Sequence, residues 1–246
     1  MTLLLLIGII VSTAGNSFGQ RRSHRYKNLI EHDHKLYHFG FSLGFNRMDF
    51  TLRTIEDFDD LGLGGFTEPT PEFDTLFSVL TRPQDGFNIG IVSNLKLTPH
   101  LDLRFVPTLA FGDRSIVYSG YKNSVPITRT QHLESTFLDF PLHLKFKSSR
   151  MTNTRVYVTG GLKYSYDLAS AQDKEDFEEE VLARLRKNDL YLELGAGFDY
   201  YFFFFKFSTE IKASFGMRDM LVRDNTMFSN SIDRLNSKIV DRKSVV

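Results

Sequence analysis

The chain has 246 residues, and its 30 Lys and Arg are matched by 30 Asp and Glu, so it lacks the basic footprint of a nucleic-acid binder. There is no Cys, which excludes disulfides, thiolate metal sites, a Cys nucleophile and a lipidated Cys anchor. Trp is absent while Phe numbers 24 and Tyr 10, an aromatic content high for a soluble domain, yet mean hydropathy is −0.22 and argues against a helical membrane protein.

The first segment, residues 1–19, reads as a secretory signal peptide. An apolar run over residues 3–11 is about half the length of a membrane helix and leads into small and polar residues. Ser17, Phe18 and Gly19 before Gln20 make a cleavage site. The competing reading is a buried N-terminal helix, since no Lys or Arg precedes the run. Residues 20–36 are polar and basic without periodicity, and read as an N-terminal tail.

From Tyr37 the pattern becomes strict alternation. Tyr37, Phe39, Phe41, Leu43 and Phe45 interleave with His38, Gly40, Ser42, Gly44 and Asn46, as in a strand with one apolar and one small or polar face. Past Arg47 the apolar residues Met48, Phe50 and Leu52 fall on even numbers, which predicts a β-bulge near residues 47–48. The same alternation recurs over residues 87–97, 101–111, 138–146, 156–166, 190–200 and 205–215, and more weakly near residues 235–240. This gives seven clear strands and an eighth weak one.

Strands of about ten residues exceed the soluble mode of five or six and match a tilted membrane-spanning strand. A bilayer offers the backbone no water, so such a sheet must close without an edge. The fold expected over residues 37–246 is an eight-stranded, antiparallel, up-and-down β-barrel of the outer membrane. A lipocalin-like soluble barrel, apolar inside, is the competitor. The polar faces decide between them: Asp102, Arg104, Asp139, Lys145, Arg155, Lys163, Glu193, Asp199, Lys206, Glu210 and Lys212 suit a narrow lumen of paired charges.

The spacers alternate in length. Long ones cover residues 53–85, 113–134, 169–188 and 217–234, and short ones residues 98–100, 148–154 and 203–204. Short periplasmic turns and long outer loops are the rule in such barrels, which puts the N-terminus in the periplasm. Aromatic girdles are expected at one rim from Tyr37, Phe146, Tyr200, Phe202 and Phe205, and at the other from Phe45, Phe87, Phe111, Tyr164 and Phe215.

Few residues look chemical. Gly62, Gly64 and Gly65 do not follow a nucleotide-binding strand–helix pattern. Residues 173–188 read as a short helix, acidic first and basic last. His32 and His34 flank Asp33 and could chelate a metal, but a solvated pair fits their polar segment better. His143 shares a face with Asp139 and Lys145; four strand residues span about 13 Å, so its partners must come from neighbouring strands. No catalytic, cofactor-binding or metal residue is assigned. Filled with side chains, an eight-stranded barrel conducts nothing, which disfavours a porin. The expected partners are outer-membrane lipid and other proteins, with neither nucleic acid nor a small-molecule substrate.

Particular segments resemble a known family. Residues 39–50 (FGFSLGFNRMDF), 86–92 (GFNIGIV), 134–142 (ESTFLDFPL), 160–169 (GGLKYSYDLA) and 232–238 (IDRLNSK) are similar to PorT proteins, over about residues 37–240. The resemblance implies a Bacteroidota outer-membrane barrel required by the type IX secretion system, which exports cargo bearing a C-terminal signal domain. It implies other secretion-system proteins as partners and no enzymatic activity, and it carries no functional residues across. The chain departs from the family after Val240, where Asp241, Arg242, Lys243, Ser244, Val245 and Val246 replace an aromatic-rich ending. A surface adhesin and, less favoured, an outer-membrane enzyme are the alternatives.

Overall fold

A computed structural model describes residues 27–54, 74–169, 184–223, 229 and 231–246. The signal-peptide reading, the glycines near residue 62 and most of the helix expected over residues 173–188 lie outside these residues.

Ten β-segments follow one another: β1 (Tyr37–Thr54), β2 (Thr75–Arg82), β3 (Gln84–Lys96), β4 (Leu101–Phe105), β5 (Thr108–Lys122), β6 (Val125–Lys147), β7 (Thr154–Asp167), β8 (Asn188–Tyr201), β9 (Lys206–Gly216) and β10 (Ile232–Val245). Two of the breaks fall at prolines, which cannot donate to a ladder: Pro83 separates β2 from β3, and Pro107 separates β4 from β5. Each pair continues one strand, so the ten segments make eight. All pairings are antiparallel, and β1 pairs both β10 and β3, which closes the ring. The fold is the all-β, up-and-down outer-membrane barrel that the alternation predicts.

The short connections lie where the spacing puts them, at residues 97–100, 148–153 and 202–205. In the last, the N–H of Phe202 donates to Phe205 O at 3.0 Å, with Phe203 and Phe204 exposed at the tip. The aromatic rims also appear. Tyr37, Phe146 and Phe205 are exposed at one end, and Phe45, Phe87 and Phe215 toward the other.

Three expectations are corrected. No bulge interrupts β1 near Arg47: its register runs unbroken against β10 from Ser42 to Arg53 and against β3 from Tyr37 to Met48. Even-numbered residues face inward throughout, and the chemistry of the faces swaps instead. Below Arg47 the inner face holds Ser42 and Asn46; above it, Met48 and Phe50 are buried while Arg47, Thr51 and Arg53 are exposed. Secondly, residues 113–134 are not a loop. They complete a long hairpin of β5 and β6, paired from Thr108↔Asp139 to Lys122↔Val125. Its turn is Asn123-Ser124, with φ of 51° and 65°, the left-handed pair of a type I′ turn whose twist matches the flanking strands. Residues 75–82 of the first long spacer are likewise strand, paired with β5. Thirdly, the final strand is not confined to residues 235–240. It spans Ile232–Val245, with Asp241 and Lys243 inward.

Candidate functional site

The lumen is a stack of layers filled by side chains. In its middle, carboxylates Asp102, Asp139, Glu193, Asp199, Glu210 and Asp241 meet Arg104, Lys145, Lys147, Lys163, Lys212 and Lys243, all buried. Desolvating that many charges is tolerable only if each is paired and hydrogen-bonded. They are. Arg104 donates to Glu210 at 2.8 Å, and the Tyr157 hydroxyl donates to the same oxygen at 3.0 Å. Lys145 holds both oxygens of Asp199 at 2.9 and 3.0 Å, and Ser208 donates to Asp199 at 2.6 Å. Lys147 reaches Asp102 at 2.5 Å.

Glu193 is the hub. It receives His143 Nε2 at 2.5 Å, Lys212 at 3.1 Å, Lys163 at 3.3 Å and the Ser214 hydroxyl at 2.5 Å. His143 and Glu193 sit on strands separated by β7. Between them in register stands Gly161, where a Cβ would lie 2.1 Å from Leu142 O and 2.9 Å from the His143 ring. The same device recurs at Gly197, over which the Tyr157 ring passes to Glu210, a Cβ there falling 2.5 Å from Tyr157 Cζ. Glycine facing the lumen is what lets a side chain bridge next-nearest strands. His143 thus takes its partner from another strand, as its distance from Asp139 requires. Asp139 instead receives Ser165 at 2.5 Å and Lys163 at 3.2 Å.

Above the charges lies an apolar layer of Met48, Ala110, Phe137, Tyr191 and Ile239. Arg114, fully buried, stands at its border. It donates to Ser237 at 3.1 Å and Ser135 at 2.8 Å, lies 3.7 Å from Asp167, and packs over the rings of Phe50 and Phe137. Beyond it the barrel's extension has an apolar core that includes Phe50, Leu76, Val79, Ile116, Tyr118, Leu185, Leu221 and Leu235. Leu185 bridges to Leu221 across the mouth, so residues 184–187, the basic end of the expected helix, are extended here.

At the opposite end residues 27–36, part of the segment read as a tail, dock against the barrel. A single 3-10 turn, Ile30–Asp33, folds under the mouth. Asp33 binds Arg150 at 3.0 Å and Arg155 at 3.5 Å, accepts from the Tyr201 hydroxyl at 3.3 Å, and lends its carbonyl to Lys96 at 2.5 Å. Arg150 also donates to Asn28 O and stacks 3.8 Å above Tyr201. Burial opposes the Asp33 charge, but the Arg150 hydrogen bond and the Arg155 field hold the carboxyl below its usual range. His32 stacks on His38 at 3.9 Å, and burial, then His38 and Lys206, lower its pKa from 6.5 to about 4. His32 and His34 are not brought together on a metal: among the described residues no cluster of three His, Asp or Glu has metal-ligand geometry. A cavity of about 230 Å³ remains beside this latch, lined by His32, His38, Arg104, Lys206 and Ser208 among others.

Sequence reasoning missed the latch and the apolar cap. The run of Arg150, Asn153 and Arg155 in a short turn, opposite an acidic residue in the tail, was the only available signal for the first.

In sequence, no curated protein matches the chain. Among solved structures it is similar to the outer membrane protein OprG of Pseudomonas aeruginosa, at 11% identity over 84% of this chain and 91% of that one, with a TM-score of 0.40. It is also similar to the N-terminal β-barrel domain of OprF from Pseudomonas aeruginosa, at 12% identity over 83% and 97%, with a TM-score of 0.29. The family of outer membrane protein beta-barrel domains matches residues 18–222, and the chain, a closed ring with apolar wall and charged lumen, belongs to it.

Proposed function

We propose that this outer-membrane barrel is a non-catalytic component of protein secretion, serving the export of cargo with C-terminal signal domains by a type IX system. The observation that carries the reading is the sealed lumen. Among the described residues a paired ionic layer, an apolar cap and a docked N-terminal latch fill the barrel, which supports work through its surfaces over conduction as a pore. The PorT-like segments over residues 39–50 and 134–142 supply the choice of system. In this reading the N-terminus and the short turns face the periplasm, and the extension of β2, β5 and β6 faces outward.

The test is cargo secretion in a clean deletion strain, with complementation by this reading frame. Cargo retained in the periplasm and released again on complementation is the expected result. Normal secretion in the deletion strain would overturn the reading in favour of a surface adhesin.

A further inference from the structure

The outer wall of the barrel is not uniform. Along the apolar belt, outward side chains are Phe39, Phe41, Leu43 and Phe45 on β1, Ile89 and Ile91 on β3, and comparable apolar residues on β6 to β9. β10 differs. Its outward positions are Lys238, Val240, Arg242 and Ser244. Arg242 is exposed between Phe45 and Ile211, themselves 75% and 63% exposed, so it sits within the belt. Arg47 opposes Val240 in register and is diagonal to both Lys238 and Arg242, at the about 7–8 Å that long side chains span. Lys238 lies at the level of Asp49 and Phe215, where β1 turns from apolar outward residues to Arg47, Thr51 and Arg53.

None of the three cations has a partner among the described residues. Two carboxylates stand near: Asp85 opposes Arg47 and Asp49 opposes Lys238. Neither forms an ion pair, and Asp49 Oδ1 accepts the N–H of Phe50 at 2.8 Å. Arg242 has no acid across from it. A cation at that depth is tolerated where its stem runs along apolar surface and its head reaches the polar rim. Register groups the three around Val240 on one side of the barrel, where the anion that the surroundings supply everywhere is a lipid phosphate.

We propose that Arg47, Lys238 and Arg242 form a binding site for the phosphate of a lipid headgroup. Given the orientation under Proposed function, on which this part rests, the occupant is a phosphorylated glycolipid of the outer leaflet.

The full chain, purified in neutral detergent, is titrated with diphosphorylated lipid A and read by native mass spectrometry. The variant R47Q/K238Q/R242Q should retain the lipid about a hundredfold less well, and R242Q alone about fivefold less. R53Q/R234Q, on the same strands but higher in the extension, should match the parent. Heat-modified gel mobility verifies that each variant is folded; if the triple variant fails this check, R242Q carries the test. Unchanged retention by the folded variants overturns the site, as does equal retention of dephosphorylated lipid A. Displacement by millimolar inorganic phosphate overturns a lipid site in favour of a free-anion site. A photo-crosslinker at Val240 that captures an acidic membrane protein instead of lipid overturns it too. Preference for phosphatidylglycerol over lipid A overturns the outer-leaflet assignment, and with it the orientation. Secretion is not read in this experiment, so failure of the secretion reading leaves its outcome unchanged.

Discussion

The belt and the extension of this barrel obey the same period of two with opposite sign. Around Leu142 and Leu144 the outer face is apolar and the inner face holds His143 and Lys145. In the extension of the same sheet, Ile116 and Tyr118 are fully buried inside, while Thr128 and Thr130 lie exposed outside. One continuous ladder between β5 and β6 runs through both zones without a break in register. The backbone geometry is therefore indifferent to solvent, and what changes is which solvent meets which face. Lipid outside favours an apolar exterior and forces polar groups inward; water outside restores the ordinary arrangement.

This contrast can be broken most strongly in the lumen. Glu193→Ala would leave His143, Lys163 and Lys212 without their shared anion. Removing one member of a buried ionic set is expected to destabilise the barrel by about 3–5 kcal/mol, read as a lowered urea midpoint of the folded band on unheated gels. An unchanged midpoint would mean that water, not Glu193, satisfies these cations. The wall provides the next test. Leu142→Arg in the belt should cost about 2–4 kcal/mol, whereas Thr130→Arg in the extension should stay within about 0.5 kcal/mol. Equal costs at the two positions would erase the boundary drawn between the zones.

Smaller effects sharpen the picture at the two ends. Ser124→Gly should stabilise the β5–β6 hairpin by about 0.5–1 kcal/mol, because φ of 65° strains any residue with a Cβ. Destabilisation would place the chain reversal elsewhere. The latch should respond to pH. The His32 pKa is lowered from 6.5 to about 4 in the folded state, so its contribution is complete above 6.5 and is lost as pH falls toward 4. Asp33, also lowered, holds its contribution above its ordinary value and loses it only at lower pH still. Because the chain has no Cys, a spin label at Lys27→Cys reports on the latch alone. Its spectrum should sharpen between pH 6.5 and 4, and the His32→Gln variant should lose that step. A label equally mobile at neutral pH would contradict the docked segment.

Reading the residues in order was enough for the barrel itself. Alternation such as Phe39, Phe41, Leu43 and Phe45 against Gly40, Ser42 and Gly44 dictates a strand, because successive side chains must point to opposite faces. Charges confined to one face over ten residues identify that face as a lumen. The extension is not legible in the sequence for an equally local reason. Residues 113–134 place Ile116, Val117 and Tyr118 side by side and then turn mostly polar, so no single face stands out. Only pairing with β2 and burial against Leu185 and Leu221 make them strand and core. The lumen pairs were beyond local reading too. His143 finds Glu193 across Gly161, and Asp33 finds Arg150 across the whole chain, because strand order and register decide which charges share a cavity. Alternation alone sets the strands and the sign of their faces in the membrane; the closed ring selects the partners, since a buried charge is stabilised by whatever the register brings within reach.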